Sequence, residues 1–120
     1  MKRNAWKKLI TANCEAAGTY RPYFDPVIET LAGILERRDD AQKFFKKSGG
    51  ELIVTHTNKS GAKNLEQNPA IRLLNDLNRD ALTYWRDLGL TPAGLKKIDE
   101  QAMKKKRKSA LAEALKELGG

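Results

Sequence analysis

One cysteine and one histidine are all that the 120 residues offer to thiol or metal chemistry. A lone Cys14 cannot form an intrachain disulfide, and His56 has no partners with the spacing of a zinc site. Both fit a reducing compartment, which places the chain in a cytoplasm. No apolar run approaches the roughly 20 residues that cross a bilayer, and the basic start "MKRNAWKK" leads into a charged amphipathic segment without a signal-peptide core, so no membrane partner is expected. P-loop, dinucleotide fingerprint, H-E-x-x-H and paired C-x-x-C motifs are all missing. The acidic residues scatter over predicted outer faces, and none pair up as a general acid and base in an apolar pocket. The expectation is a protein that is not an enzyme and takes no metal or cofactor.

What remains is a chain of one domain's length, 40% hydrophobic and 32% charged, which reads as folded. Its net charge of +8 is unevenly distributed. Residues 1–10 carry four basic residues and no acids, residues 11–90 carry eleven of each sign, and residues 91–120 carry eight basic and four acidic. The excess therefore sits at the two ends, where a polyanion within about 10 Å feels it. Nucleic acid is the indicated partner, and basic ends that only aid solubility are the alternative.

The spacing predicts a first amphipathic helix over residues 3–17, with Ala5, Trp6, Leu9, Ile10, Ala16 and Ala17 inward and Gly18 ending it. Asp25 as N-cap and Pro26 at the first helical position open a second helix with a stripe of Val27, Ile28, Leu31, Ile34 and Leu35. The "RRDD" patch then predicts a break before a short helix containing Phe44 and Phe45, ended by "SGG". "ELIVTHT", the turn "NKSG" and the weaker "AKNLEQ" read as a β-hairpin, expected to lean on helices or on another subunit. His56 lies on it as an ordinary strand residue.

"NPAIRLLNDLNRDALTYWRDLG" is the strongest helix, capped by Asn68, started by Pro69 and stopped at Gly89. Ala70, Leu74, Leu77, Ala81, Tyr84 and Leu88 follow a heptad rhythm, which Ile71, Leu82 and Trp85 widen. Leu74, Leu77, Ala81, Tyr84, Trp85 and Leu88 are thus the candidate core or subunit interface. "LTP" starts another helix, with Thr91 as N-cap, Leu95 and Ile98 inward and Lys96 and Lys97 outward. After the basic run Lys104, Lys105, Lys106, Arg107 and Lys108 comes "SALAEALKEL", which either docks on a partner or continues the preceding helix.

Two meanings of "DLGLTPAGLKKI" stay open. Aligned to a helix-turn-helix, Gly89 takes the central turn and the helix after Thr91 faces the major groove, giving a dimeric transcription regulator. Trp85 stands where that motif takes a small residue, and the outward Ala93, Gly94, Lys96 and Lys97 suit phosphates better than base edges. The other meaning is a plain corner between helices. The five adjacent charges of 104–108 cannot share one face, so they form a collar suited to sequence-independent phosphate contact. Lys2, Arg3, Lys7 and Lys8 join the same surface if the fold brings the ends together. A third reading is an adaptor whose basic tail binds only protein.

The order of these elements resembles the small subunit of the phage terminase. The features that carry it are helices over residues 25–47, the hairpin "SGGELIVTHTNKSGAKNLEQ", then "NPAIRLL", a long helix and "LGLTPAGLKKI", together about residues 25–98, with a basic segment over 99–120. The resemblance implies one mainly α domain over 1–120 with a small β-hairpin, assembled as a ring-like homo-oligomer. It implies a non-catalytic role in the cytoplasm of the bacterial host: binding double-stranded viral DNA, delivering it to the large terminase subunit that holds the ATPase and nuclease, and modulating that partner.

Overall fold

The computed structural model describes residues 1–119, and among them three helices wrap a core whose centre is the second. Helix α1 spans Arg3–Ala17. Its inward stripe is Trp6, Ile10 and Cys14, four residues apart, with Ile10 and Cys14 fully buried. Ala5, Leu9 and Ala16, expected inward, are exposed instead, so the buried face is narrower than the apolar pattern implied. Gly18, at φ +73°, ends the helix, and Thr19 donates its N–H to the Cys14 carbonyl at 2.9 Å. A single 3-10 turn, Pro22–Phe24, then runs straight into α2, Asp25–Lys47. Asp25 is therefore not the N-cap that the Asp-Pro pair predicts: the preceding turn already supplies helical backbone, and the Asp25 carboxylate accepts the Tyr20 hydroxyl at 2.9 Å.

The expected break at "RRDD" is absent, and α2 is continuous for 23 residues. Nothing between Glu36 and Lys47 disfavours helix on its own, and α1 splints the charged patch. Asp39 accepts the Trp6 indole N–H and the amino terminus, each at 2.8 Å, while the Arg38 guanidinium lies 5.7 Å from the Trp6 ring centre. Charges that look like a solvated interruption in sequence are the seam between two helices. Gly49 and Gly50, both at positive φ, then turn the chain away.

Strands β1 (Ile53–Thr57) and β2 (Lys63–Gln67) pair antiparallel, with Thr55 opposite Leu65. Asn58 organises the turn, its side-chain oxygen accepting the N–H groups of Ser60 and Ala62. The hairpin does not lie on the helices: apart from a half-buried Val54, every strand residue is exposed. It is fastened at its base by Asn68, whose N–H donates to the Leu52 carbonyl at 2.8 Å and whose side-chain amide donates to that of Glu51 at 2.9 Å.

The same Asn68 caps α3, Pro69–Asp87, by accepting the Ala70 N–H at 3.0 Å, and Gly89, at φ +73°, ends it. Leu74, Leu77, Ala81 and Leu88 enter the core beside Ile28, Leu31 and Leu35 of α2, whose other side packs on α1. Tyr84 and Trp85 are half-buried at its edge. Helix α4, Pro92–Gly119, is one unbroken rod of 28 residues, so "SALAEALKEL" continues the preceding helix. Only its first turns touch α3. From Asp99 onward every described residue is exposed, and the molecule is drawn out to 86 × 28 × 21 Å.

Candidate nucleic-acid interface

The corner that launches α4 is tightly built. Thr91 caps the helix, its hydroxyl accepting the Gly94 N–H at 3.0 Å. Gly94, placed outward by the sequence pattern, is buried: a Cβ there would fall within the van der Waals envelope of the Arg86 carbonyl oxygen of α3. At Gly89 a Cβ would stand 2.7 Å from Ile98 Cδ1 and 2.9 Å from Thr19 Cγ2. Two glycines thus let α4 pass against the end of α3 and fix the direction in which it leaves. With Gly94 against α3, one of the four supposed DNA-facing positions of the helix-turn-helix alignment is turned into the protein. The cue in the sequence was a glycine three residues after the Thr cap, a position with no need of positive φ, where close approach is the remaining physical reason for it.

Beyond the corner, Lys96 and Lys97 are exposed on the first turns. Lys104, Lys105, Lys106, Arg107 and Lys108 are exposed on the free part of the rod, beginning about 18 Å along the axis from Pro92. No ion pair engages any of the seven among the described residues. A helix step of 100° spreads the five over the whole circumference, a ring of charge that only Glu100, one turn earlier, adjoins with an acid.

The other basic end is differently placed. Lys2, Arg3, Lys7 and Lys8 occupy the start of α1, at the far end of that helix from the corner, about 14–22 Å of helix from its last residue. The acids of α2 face them. Lys7 Nζ lies 3.9 Å from Glu29, the Arg3 N–H donates to Glu36 at 2.7 Å, and the Arg3 guanidinium lies against the α2 backbone at Gly33, where a Cβ would be 3.3 Å from it. The two basic ends do not merge into one surface, and among the four cations of the first only Lys7 enters an ion pair among the described residues.

The thiol and imidazole sit in ordinary surroundings. Burial pushes the Cys14 thiol up, away from the thiolate a nucleophile needs. His56 Nδ1 stands 3.6 Å from Glu66 across the open face of the hairpin. Among the described residues no three metal-ligating side chains gather, and no helix is long and apolar enough to cross a membrane.

A model of the phage terminase small subunit matches residues 3–116, all but the extreme ends. No curated protein and no solved structure matches the chain significantly. The match extends the resemblance beyond the central elements to α1 and to nearly all of α4, and it implies DNA and a large subunit as partners. A helical protein with a small hairpin, a basic projecting helix and this match has one family to join: the chain belongs to the phage terminase small subunits, the non-catalytic component of phage DNA packaging.

Proposed function

We propose that the protein binds viral double-stranded DNA at the start of packaging, acts as a ring-like homo-oligomer in the host cytoplasm, and passes the DNA to the large terminase subunit while modulating its ATPase and nuclease. The observation that carries this reading is the collar on α4: five consecutive cations on a helix that leaves the body of its own subunit. Phosphate is their natural counter-ion, and a collar with no fixed face reads no bases. A ring multiplies a weak single-subunit attraction, because each further collar engages a strand already held. Lys96 and Lys97, nearer the corner, extend the same basic track. Lys2, Arg3, Lys7 and Lys8 contribute less, since they stand at the far end of α1 from the corner and Lys7 is turned to Glu29. The dimeric regulator loses ground at the corner, where Gly94 is packed against α3 and Lys96 and Lys97 are point charges without a bidentate fork.

The test combines native mass spectrometry with DNA titration at several salt concentrations, on the full chain and on a chain ending at Met103. The full chain should show a closed multimer and a steep fall of affinity with salt. Truncation should weaken binding and flatten that slope. A monomer whose DNA binding is untouched by truncation refutes the reading.

A further inference from the structure

Helix α4 carries two apolar faces that point opposite ways. Leu95 and Ile98, near its start, turn toward α3 and are half-buried. Leu111, Leu115 and Leu118 share one stripe near its end, and at 100° per residue that stripe lies about 160° around the axis from the first. They are 61%, 60% and 86% exposed. An unbroken helix cannot bring this second stripe back to its own subunit, so whatever covers it belongs to another molecule.

The same chain holds an uncovered groove at the opposite end of the body. It runs between the last turns of α2 and the first turns of α3, has a volume of about 630 Å³, and is lined by Ala41, Phe44, Leu73 and other apolar residues together with Arg37, Asp40 and Asn68. Phe44 and Leu73 are 67% and 51% exposed. From the groove toward the corner, the outer surface of α3 is divided by charge. Asp76, Asp80 and Asp87 fall on the groove side, and Arg72, Arg79 and Arg86 on the other. Asp80 and Asp87 enter no ion pair among the described residues.

The two surfaces match in order and spacing. On α4, Lys104, Arg107 and Lys108 lie on the leucine side, and Lys108 is seven residues before Leu115. On α3, Asp80 is seven residues after Leu73. A helix laid antiparallel along α3 with Leu115 over Leu73 therefore sets Lys108 over Asp80, each about 10.5 Å from its leucine, with Lys104 between Asp80 and Asp87; Asp76, held by Arg79 at 3.1 Å, falls opposite Ala112. We infer that the end of α4 from one copy docks in the α2–α3 groove of the next copy. This rests on the assembly of copies proposed above and names the contact that makes it. Stripe and groove are different patches on one chain, so the contact is head-to-tail and closes a ring when the rotation permits. It also divides the collar. Lys104, Arg107 and Lys108 meet the neighbour's carboxylates, while Lys105 and Lys106, on the opposite side of the helix, stay free for phosphate.

The test places cysteines at Leu73→Cys and Leu115→Cys in the full chain and treats it with a short bis-maleimide. Cys14 is fully buried and does not compete. A ladder of covalent multimers from the double variant, and at most traces from either single variant, is expected. Asp80→Lys should lower the assembled fraction at least tenfold, and Lys108→Asp on the same chain should restore it, whereas Lys105→Gln with Lys106→Gln should leave assembly intact and weaken DNA binding. An assembled protein that yields no ladder overturns the docking and leaves the proposed function standing. A protein that stays monomeric by native mass spectrometry overturns both. Circular dichroism of each variant checks that the helices are retained, which these exposed positions permit.

Discussion

Replacing Gly94 by alanine sets two principles against each other at one atom. Gly94 lies inside α4, where helix propensity alone favours alanine over glycine by about 1 kcal/mol. The structure opposes the gain: the new Cβ meets the carbonyl oxygen of Arg86, with the carbonyl carbon 2.9 Å and the α-carbon 3.1 Å away. All three are backbone atoms in a helix whose other face is the core, so they cannot swing aside as a side chain would. Overpacking of this kind costs about 1–3 kcal/mol when side chains can adjust, and the upper end applies here. The net expectation for Gly94→Ala is a loss of about 2 kcal/mol, or escape of α4 from its corner with the loss of the Leu95 and Ile98 contacts. Gly18→Ala separates the contributions, because Gly18 has the same φ of +73° as Gly89 but nothing within 4 Å of its added Cβ. It should lose only the left-handed strain, about 1 kcal/mol, and Gly89→Ala should lose that together with its contacts on Ile98 and Thr19. Urea unfolding followed by circular dichroism at fixed protein concentration gives all three values. Refutation would come from a Gly94→Ala variant as stable as the parent, since propensity would then be the whole effect and the corner looser than described.

Two further perturbations test the core and the seam. Trp85→Ala should cost about 2 kcal/mol, below the 3–5 kcal/mol of a fully buried aromatic because Trp85 packs at the edge of the core, while Lys105→Ala should stay within about 0.5 kcal/mol of the parent; equal values by denaturant titration would contradict the burial pattern. At Asp39, burial works against the charge but is outweighed by hydrogen bonds from the amino terminus and the Trp6 indole and by the positive charges of that terminus and Arg38, which together hold the carboxyl below its usual value. Its stabilisation is therefore complete above the unfolded value of about 3.9 and is lost as pH falls through the lower folded value. Asp39→Asn should be less stable than the parent at neutral pH and converge with it in acid, and parallel stability curves from pH 7 to pH 2 would show that the seam contributes nothing.

The limits of α3 were legible because local chemistry sets them: Asn68 accepts from Ala70, Pro69 needs no donor, and Gly89 takes a positive φ. The hairpin turn was legible for the same reason, through Asn58 and Gly61. What sequence reading got wrong at "RRDD" was a long-range matter. Arg38 and Asp39 meet Trp6 and the amino terminus, more than thirty residues away, and no local pattern distinguishes such a seam from a solvated break. Gly94 was misplaced for a related reason, since the close approach it permits exists only once α3 and α4 are set against each other. The Lys7–Glu29 pair at the basic start was hidden for the same reason, the two residues being remote in sequence. The leucines near the end of α4 were identified and continuation of the preceding helix was one of two open readings; that the two apolar faces are opposed follows only once the helix is continuous between them.

That continuity bears on how the projecting helix survives. Between Asp99 and Gly119 every residue is exposed, and isolated helices of that length are marginal in water. Its composition adds strain, because Lys104 repels Arg107 and Lys108 at three and four residues' distance, and only Glu100, four residues before Lys104, answers from the same side. Three exposed leucines are a further cost in a free subunit, each worth about 1.5–3 kcal/mol if fully covered. Polyphosphate relieves the first cost and an apolar groove the second, and neither partner relieves both. A segment that is costly in two independent ways, and rigidly continuous with a corner sealed by two glycines, has the physical character of a joint between molecules, where the order of the helix is completed by what it binds.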